Sequence, residues 1–257
     1  MYDRFPILNP PWLRFSNYTD KLVMAIQAHP DDADWACGGV MARCAAAGAR
    51  LVYVVATKGE AGTDDPEMTK ERLTQIREQE QRDANAILGV RETIFLGHSD
   101  GRLRNATALE TQLAALIRER RPSLILTFDP EWSEYTMHPD HYAIALATVR
   151  AAQFSGLTLT FVDDAPAQPY VCPEILVWEP KRPNIRVDIT EYSCAKLEAL
   201  AAHRSQMAHM LPKPLHKLMY DLVARGNRPE VRLLLRIIHP MFRVETFRRL
   251  PGRTLLH

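Results

Sequence analysis

The chain has 257 residues, of which 46% are hydrophobic and 25% are charged, the ordinary composition of a globular protein with a full-sized core. The formal net charge at pH 7 is only +1, so the chain as a whole lacks the positive excess that favours nucleic-acid or membrane-surface partners. From Lys196 onward 12 Lys and Arg stand against 4 Asp and Glu, but no aromatic residues alternate with these charges. We interpret this basic region as solvated helix faces or a subunit contact.

The cysteines and the N-terminal sequence predict the compartment. The four cysteines show no CxxC spacing, and a chain of this size needs no disulfides, so we expect reduced thiols. The N-terminus lacks the basic-then-apolar pattern of a signal peptide, and no apolar run reaches the length of a transmembrane helix. We predict a cytoplasmic protein with one α/β domain over residues 1–257, in which residues 1–20 form an irregular arm.

Predicted strands and helices alternate over the first 155 residues. Strands are expected at 21–28, 51–56, 93–96 and 123–128, helices at 33–47, 67–88, 105–120 and 141–154, then strands near 157–162 and 171–178, and helices at 191–210 and onward to about 238. Apolar, β-branched runs mark the strands, and amphipathic spacing marks the helices. This alternation predicts a doubly wound, mostly parallel sheet with helices on both faces and a helical C-terminal part.

Two loops with similar amino-acid sequences follow the first and fourth predicted strands. The first is HPDD at residues 29–32, and the second is HPDH at residues 138–141. In open parallel sheets ligands bind outside the carboxyl ends of the strands, where the strand order reverses. If the order is 3-2-1-4-5, strands one and four are neighbours. The two loops then meet at the place where this architecture puts a ligand.

The residue types in the two loops suit a catalytic metal. Such sites use three protein ligands drawn from His, Asp and Glu and leave a position for water. His29 and Asp32 can point the same way, and His141 can supply the third ligand. Asp31 is then left facing the water as a candidate general base. A bound Zn²⁺ lowers the pKa of water from about 16 to about 7, and the same ligand set also suits Fe²⁺ or Co²⁺.

The second loop also supplies His138 and Asp140, for which we predict a role beside the metal. His138, oriented by Asp140, is placed to stabilise an oxyanion or to protonate a leaving group. One loop of this kind, taken alone, is more often a helix cap, but two at neighbouring strand exits favour the metal site. No G-x-S-x-G motif supports a serine hydrolase, and no G-x-G-x-x-G motif follows the first strand for dinucleotide binding.

These motifs resemble those of the zinc-dependent PIG-L/LmbE-like N-acetylglucosamine deacetylase family. Further segments resemble the family at 57–62, 77–90, 95–101, 196–206 and 244–248, so the resemblance covers about residues 20 to 250. It implies a Rossmann-like fold, an N-acetylated sugar as substrate and a homo-oligomer, either trimer or hexamer. The sequence around the second loop most resembles that of the diacetylchitobiose deacetylase branch of the family.

Carried over by position, the resemblance implies a role for each of ten residues. They are the metal ligands His29, Asp32 and His141, the base Asp31, the acid or electrostatic partner His138 with Asp140 behind it, and Arg77, Asp100, His203 and Gln206 for the substrate. For the last two, an interior hydrogen-bonding role is the alternative. Asp34 stands where many relatives have Glu, and Thr136 stands where some have Tyr.

The sequence therefore predicts a metal-dependent hydrolase that removes acetyl from an N-acetylglucosamine-containing sugar, such as the chitooligosaccharide diacetylchitobiose. Two alternatives stay open. One is an amidase of the same fold that acts on a thiol–sugar conjugate or a natural-product glycoside. The other is a non-catalytic Rossmann-like protein that binds a sugar or a nucleotide.

Overall fold

The structure, a computed structural model, describes residues 7–103, 106–136, 138–160, 168–206 and 243–251. These residues contain one eight-stranded sheet. Its strands are β1 (Ile7–Leu8), β2 (Leu22–Gln27), β3 (Arg50–Thr57), β4 (Glu92–His98), β5 (Leu124–Phe128), β6 (Glu174–Trp178), β7 (Ile185–Asp188) and β8 (Val244–Pro251). The order is β1-β7-β8-β6-β5-β2-β3-β4, and only β8 runs antiparallel to its neighbours, β6 and β7.

Helices cover both faces of this sheet. They are α1 (Asp32–Ala46), α2 (Lys70–Leu88), α3 (Ala106–Arg120), α4 (Pro130–Thr136), α5 (Pro139–Phe154) and α6 (Ser193–Ala202). α1, α2 and α6 pack against one another, whereas α3 and α4 pack against α5. With both faces covered, every residue of β2 and β5 is buried, which explains their continuous apolar sequences. The predicted α/β fold with a mostly parallel sheet is confirmed.

The expected order of the first four strands is also confirmed. Counted as in the prediction, the neighbours β4-β3-β2-β5 follow the order 3-2-1-4. The place beside β5 belongs to β6, the sixth predicted strand, because residues 157–160 of the predicted fifth do not form a strand. β2 pairs directly with β5, with Val23 opposite Leu124 and Ala25 opposite Leu126. Both strands end at the same edge of the sheet. α1 begins directly after β2, and α4 and α5 follow β5, so the two histidine-containing loops come together at that edge.

Several predicted elements differ from the structure. Residues 157–160 form a turn rather than a strand, and the rest of that predicted strand lies outside the described residues. β7, β8 and the short α4 were not predicted. α6 ends at Ala202, and the helices predicted beyond residue 206 fall outside the described residues up to 243. All four cysteines are free, as expected.

The part of the expected arm that the structure describes has more order than the prediction gave it. β1 pairs with β7 at the edge of the sheet, and residues 15–18 form a short 3-10 helix. Leu13, Phe15 and Tyr18 are buried in the hydrophobic core. Within the ranges given above, no helix is both long and apolar enough to cross a membrane.

Candidate active site

A cavity of about 440 Å³ opens where the loops after β2, β3 and β4 meet the start of α5. Its walls are formed by His29, Asp31, Ala61, Gly62, Arg77, Asp100, Gly101, His138, Pro139 and Gln206. Most of the side chains that the sequence singled out therefore lie on one surface. The volume is within the usual range for small-molecule sites.

The three predicted metal ligands are neighbours of one another, and one of them, His29, lines this cavity. The Asp32 carboxylate lies between two imidazoles: its Oδ2 is 3.5 Å from His29 Nδ1, and its Oδ1 is 3.3 Å from His141 Nε2. The main-chain N–H groups of Ala28 and His29 donate to Oδ2 at 3.1 and 2.8 Å and fix the carboxylate at the turn. Burial raises the pKa of Asp32, but His141 and His29 outweigh it and hold the pKa well below its usual range.

The second ring nitrogen of His29 faces two other carboxylates. Nε2 lies 3.0 Å from Asp100 Oδ1 and 3.3 Å from Asp140 Oδ2. A histidine that donates one ring N–H to a carboxylate keeps the lone pair of the other nitrogen for a metal. For His29 that other nitrogen is Nδ1, on the side of Asp32. Although burial lowers the pKa of His29, its hydrogen bonds to Asp100, Asp140 and Asp32 raise it well above the usual value.

Asp140 has a different neighbour from the expected one. Its fully buried carboxylate accepts hydrogen bonds from the main-chain N–H groups of Gly101, at 2.6 Å, and Leu103, at 3.1 Å, in addition to its contact with His29. Asp140 therefore orients His29 and the loop after β4. The expectation that it stands behind His138 does not match these contacts.

His138 and His141 form a stack of rings. Their centroids are 4.0 Å apart with an interplanar angle of 17°, and Phe128 stacks on His141 at 4.1 Å. His138 precedes α5 but makes no side-chain capping hydrogen bond, so the helix-cap alternative does not describe its side chain. Partial burial and the neighbouring histidines His141 and His29 lower the pKa of His138. This places a neutral imidazole beside the cavity at neutral pH.

Two sets of side chains among the described residues have donor atoms close enough to share a metal ion. One is His29, His138 and His141, and the other is His29, Asp100 and Asp140, with donor atoms within 4.8 Å of one another in each set. Asp32 belongs to neither set and contacts His29 and His141 only as separate pairs. In the second set, His29 Nε2 is at hydrogen-bond distance from both carboxylates. That geometry fits an imidazole oriented by acids better than a second metal site.

Asp31 is a buried acid in an unusual backbone conformation. It is 7% exposed and has φ 101° and ψ −30°. Arg77 Nη2 donates to Asp31 Oδ2 at 2.8 Å and to the Pro30 carbonyl at 2.7 Å, while Nη1 donates to the Gly59 carbonyl at 2.9 Å. A Cβ on Gly59, which has φ +68°, would lie 2.3 Å from this guanidinium, so the position requires glycine. Burial raises the pKa of Asp31 to about 6, against the opposing charge of Arg77.

The four residues expected to contact substrate differ in position. Arg77, Asp100 and Gln206 line the cavity, and Gln206 Nε2 also donates to the Gly62 carbonyl at 2.9 Å. His203 is fully buried, and its Nε2 lies 2.7 Å from Asp34 Oδ2. His203 therefore takes the interior role that the sequence left as the alternative.

The sequence missed a buried polar cluster behind Asp31. Asp34 accepts hydrogen bonds from Tyr53 Oη at 2.7 Å and from Gln81 Nε2 at 3.0 Å, besides its contact with His203. Gln81 follows Arg77 by four residues on α2, so helical spacing places both side chains on the face toward the site. This four-residue spacing is the signal in the sequence from which Gln81 could have been predicted to face the site. The side chain of Thr136 lies outside the described part of the structure.

Comparison with known proteins identifies the family of this chain. The family described as PIG-L: GlcNAc-PI de-N-acetylase matches residues 24–152, which include both histidine-containing loops. The diacetylchitobiose deacetylase of Thermococcus kodakarensis is 31% identical over 72% of this chain and 70% of its own. A probable N-acetyl-alpha-D-glucosaminyl L-malate deacetylase 2 of Bacillus anthracis is 32% identical over 74% of this chain and 83% of its own.

A solved structure supports the same grouping. The N,N'-diacetylchitobiose deacetylase of Pyrococcus horikoshii, solved with an inhibitor, superposes with a TM-score of 0.76 at 26% identity and covers 95% of this chain and 92% of its own. The family match includes every cavity residue except Gln206, and the superposition covers 95% of this chain. On these grounds the chain belongs to the PIG-L family of GlcNAc-PI de-N-acetylases.

Proposed function

We propose that this protein is a metal-dependent hydrolase that removes the N-acetyl group from an N-acetylglucosamine-containing sugar. The observation that carries the proposal is the Asp32 carboxylate between His29 Nδ1 and His141 Nε2, with Asp31 and His138 on the wall of the same cavity. The two relatives named by sequence are deacetylases of sugars that carry N-acetylglucosamine. A chitooligosaccharide such as diacetylchitobiose is the first substrate to test.

The donor set fits a divalent metal of the zinc type. His29, Asp32 and His141 supply two imidazoles and one carboxylate, the composition of many catalytic zinc sites. A metal held there would lower the pKa of water and polarise the acetyl carbonyl. Zn²⁺ is the proposed ion, and Fe²⁺ or Co²⁺ suits the same donors.

Asp31 has the position and the proton affinity of a general base. Its carboxylate faces the cavity, and a pKa raised to about 6 by burial is close to the pH at which a general base is most effective. Arg77 holds the carboxylate in its ionised form at neutral pH. Asp31 would therefore take a proton from the attacking water.

His138 supplies the complementary group. Its lowered pKa leaves a neutral ring that can donate an N–H to the carbonyl oxygen as negative charge develops there. When the carbon–nitrogen bond breaks, the amine nitrogen needs a proton, and Asp31 returns the one that it took from water. The products are acetate and the free 2-amino sugar.

An acetate-release assay over a panel of N-acetylated sugars tests the proposal. We expect release from diacetylchitobiose or another N-acetylglucosamine derivative, loss of release with a chelator, and recovery with added Zn²⁺. Asp31→Asn should keep its bound metal yet lose about 10²- to 10⁴-fold in kcat, the usual contribution of a general base. Release from no member of the panel would favour the binding-protein alternative, and a fully active Asp31→Asn would remove Asp31 from the mechanism.

A further inference from the structure

The main chain at Asp31 is held in a conformation that an L residue seldom adopts. Among the described residues five non-glycines have positive φ: Asn9, Asp20, Asp31, Arg121 and Glu179. Asp31, at 101°, lies farthest from the left-handed region near +57°, while the other four lie between 45° and 59°. Such a conformation persists only where surrounding contacts determine it.

Two residues of α2 contact the peptide group that joins Pro30 to Asp31. Arg77 donates to the oxygen of this peptide, the Pro30 carbonyl, at 2.7 Å, and to the Asp31 carboxylate at 2.8 Å. The N–H of the same peptide donates to Gln81 Oε1 at 3.2 Å. Gln81 is therefore the acceptor for the N–H of the peptide group whose rotation sets φ, while Arg77 also holds the end of the Asp31 side chain.

The Gln81 side chain is itself fixed in one orientation. It is fully buried. Its oxygen accepts from Asp31 N at 3.2 Å and from Gln27 Nε2 at 3.3 Å, and its nitrogen donates to Asp34 Oδ2 at 3.0 Å and to Asn85 Oδ1 at 3.1 Å. A rotation of the amide by 180° would place donors against donors and acceptors against acceptors. The amide therefore presents a fixed acceptor to Asp31.

We propose that Gln81 is a positioning residue for the reaction: its side-chain oxygen, together with Arg77 on the carbonyl of the same peptide, holds Asp31 at its positive φ and so fixes the direction of the general base. The inference rests on the proposed function, because it needs Asp31 to be that base. The backbone angles determine the direction of the Cα–Cβ bond, so a relaxed peptide would move the carboxylate relative to the water. A shift of 1 Å can cost about 100-fold in rate.

The test compares Gln81→Met with a matched change one turn along the same cluster, Asn85→Leu. Gln81→Met removes the acceptor for the Asp31 N–H. Asn85→Leu also removes a buried hydrogen bond to Gln81, as well as the 2.6 Å bond to Thr93 Oγ1, but leaves that acceptor in place. We expect kcat in Gln81→Met to fall by about 10- to 100-fold with KM and metal content unchanged. Asn85→Leu should lose thermal stability and keep its kcat.

Two further variants separate positioning from stability. Gln81→Glu keeps an acceptor oxygen and should retain more kcat than Gln81→Met. Gln81→Asn keeps the amide but is one methylene too short, so its kcat should fall as in Gln81→Met; it is the deciding variant if Gln81→Met does not fold. Wild-type kcat in Gln81→Met or in Gln81→Asn would overturn the proposal, as would an equal kcat loss in Asn85→Leu at the same Tm.

A crystal structure of Gln81→Met separates this inference from the proposed function. If the wild-type protein releases no acetate, the proposed function fails, and the backbone claim is still decided by φ at residue 31. Relaxation of that angle to a negative value supports the role of Gln81. An unchanged angle of about 100° in the variant refutes it, whatever the activity.

Discussion

At the scale of single residues, the proton affinity of Asp31 is set by neighbours that oppose one another. Burial is the largest influence and raises its pKa, the Arg77 guanidinium lowers it, and the Asp32 carboxylate raises it again. The result is a pKa of about 6. The guanidinium, 2.8 Å from the carboxylate, is the largest influence that favours the ionised form.

Arg77→Met should therefore shift the pH dependence of the reaction. Without the guanidinium the pKa of Asp31 rises further, so the base takes up its proton at a higher pH. The acid limb of the kcat/KM profile should move to higher pH, and activity at neutral pH should fall. Arg77→Lys, which keeps the charge, should shift the limb less. Measurement of kcat/KM against pH decides this, with Arg82→Met, an exposed change on the same helix, as the control. An acid limb that stays in place in Arg77→Met would exclude Arg77 as the group that keeps Asp31 ionised.

The sequence located the candidate reactive residues but not the hydrogen-bond partners that the structure gives them. His29, Asp31 and Asp32 adjoin one another in the chain, so a single motif located them. Asp140 also adjoins His138 in sequence, but the first turn of α5 directs its carboxylate to His29 and to the loop after β4. Sequence proximity does not determine which imidazole a carboxylate meets, because that depends on the direction in which the helix leaves the turn.

At the scale of elements, α1 is broken where it passes a distant carboxylate. Cys37 has φ −138° and ψ 16° inside the helix. Glu245 of β8 accepts the freed N–H groups of Gly39, at 2.9 Å, and Val40, at 2.8 Å, and so caps the second half of α1. Lys196 of α6 lies 2.7 Å from the same carboxylate. The sequence predicted one continuous helix, because the capping group comes from 206 residues away.

Glu245→Gln should destabilise the fold through Lys196. Both residues are at least 95% buried, so neutralising the acid leaves an ammonium group without its counter-charge in the interior. The loss of one partner of a buried pair typically costs about 3–5 kcal/mol in unfolding free energy. Urea unfolding measures it, and the double variant Lys196→Met with Glu245→Gln should be less destabilised than Glu245→Gln alone. A Glu245→Gln variant as stable as the wild type would show that the pair does not stabilise the native state.

At the scale of the whole molecule, the order of the four central strands was expected from the sequence. The strands β1, β7 and β8, on the other side of β6, were not predicted. β2, β3 and β5 are continuous apolar runs that burial on both faces explains. In β8 exposed and buried residues alternate instead, and Glu245 and Phe247 are the buried ones. A carboxylate in a buried position conceals the alternating pattern by which a strand is recognised. The antiparallel strand between β6 and β7 was missed for this reason.

The same topology makes metal binding and folding interdependent. His29 and Asp32 follow β2, whereas His141 follows β5, and these strands are neighbours only in the folded sheet. The unfolded chain separates His141, the third proposed ligand, from the first two by more than a hundred residues, so it cannot offer the same site. A ligand that binds only the folded state stabilises it by an amount that grows with its free concentration.

We therefore expect the unfolding free energy to rise by about 1.4 kcal/mol for each tenfold increase in free Zn²⁺ above its Kd. Thermal unfolding over a series of metal-buffered solutions measures this slope. His141→Ala removes one proposed ligand and should, by weakening binding, move the start of this rise to higher free Zn²⁺, with a lower metal content after dialysis. His98→Ala is the matched control, since this histidine lies on β4 and contacts Gln112 outside the cavity. If His141→Ala began to gain stability at the wild-type Zn²⁺ concentration and kept the wild-type metal content, His141 would not be a ligand, because the loss of a ligand weakens metal binding.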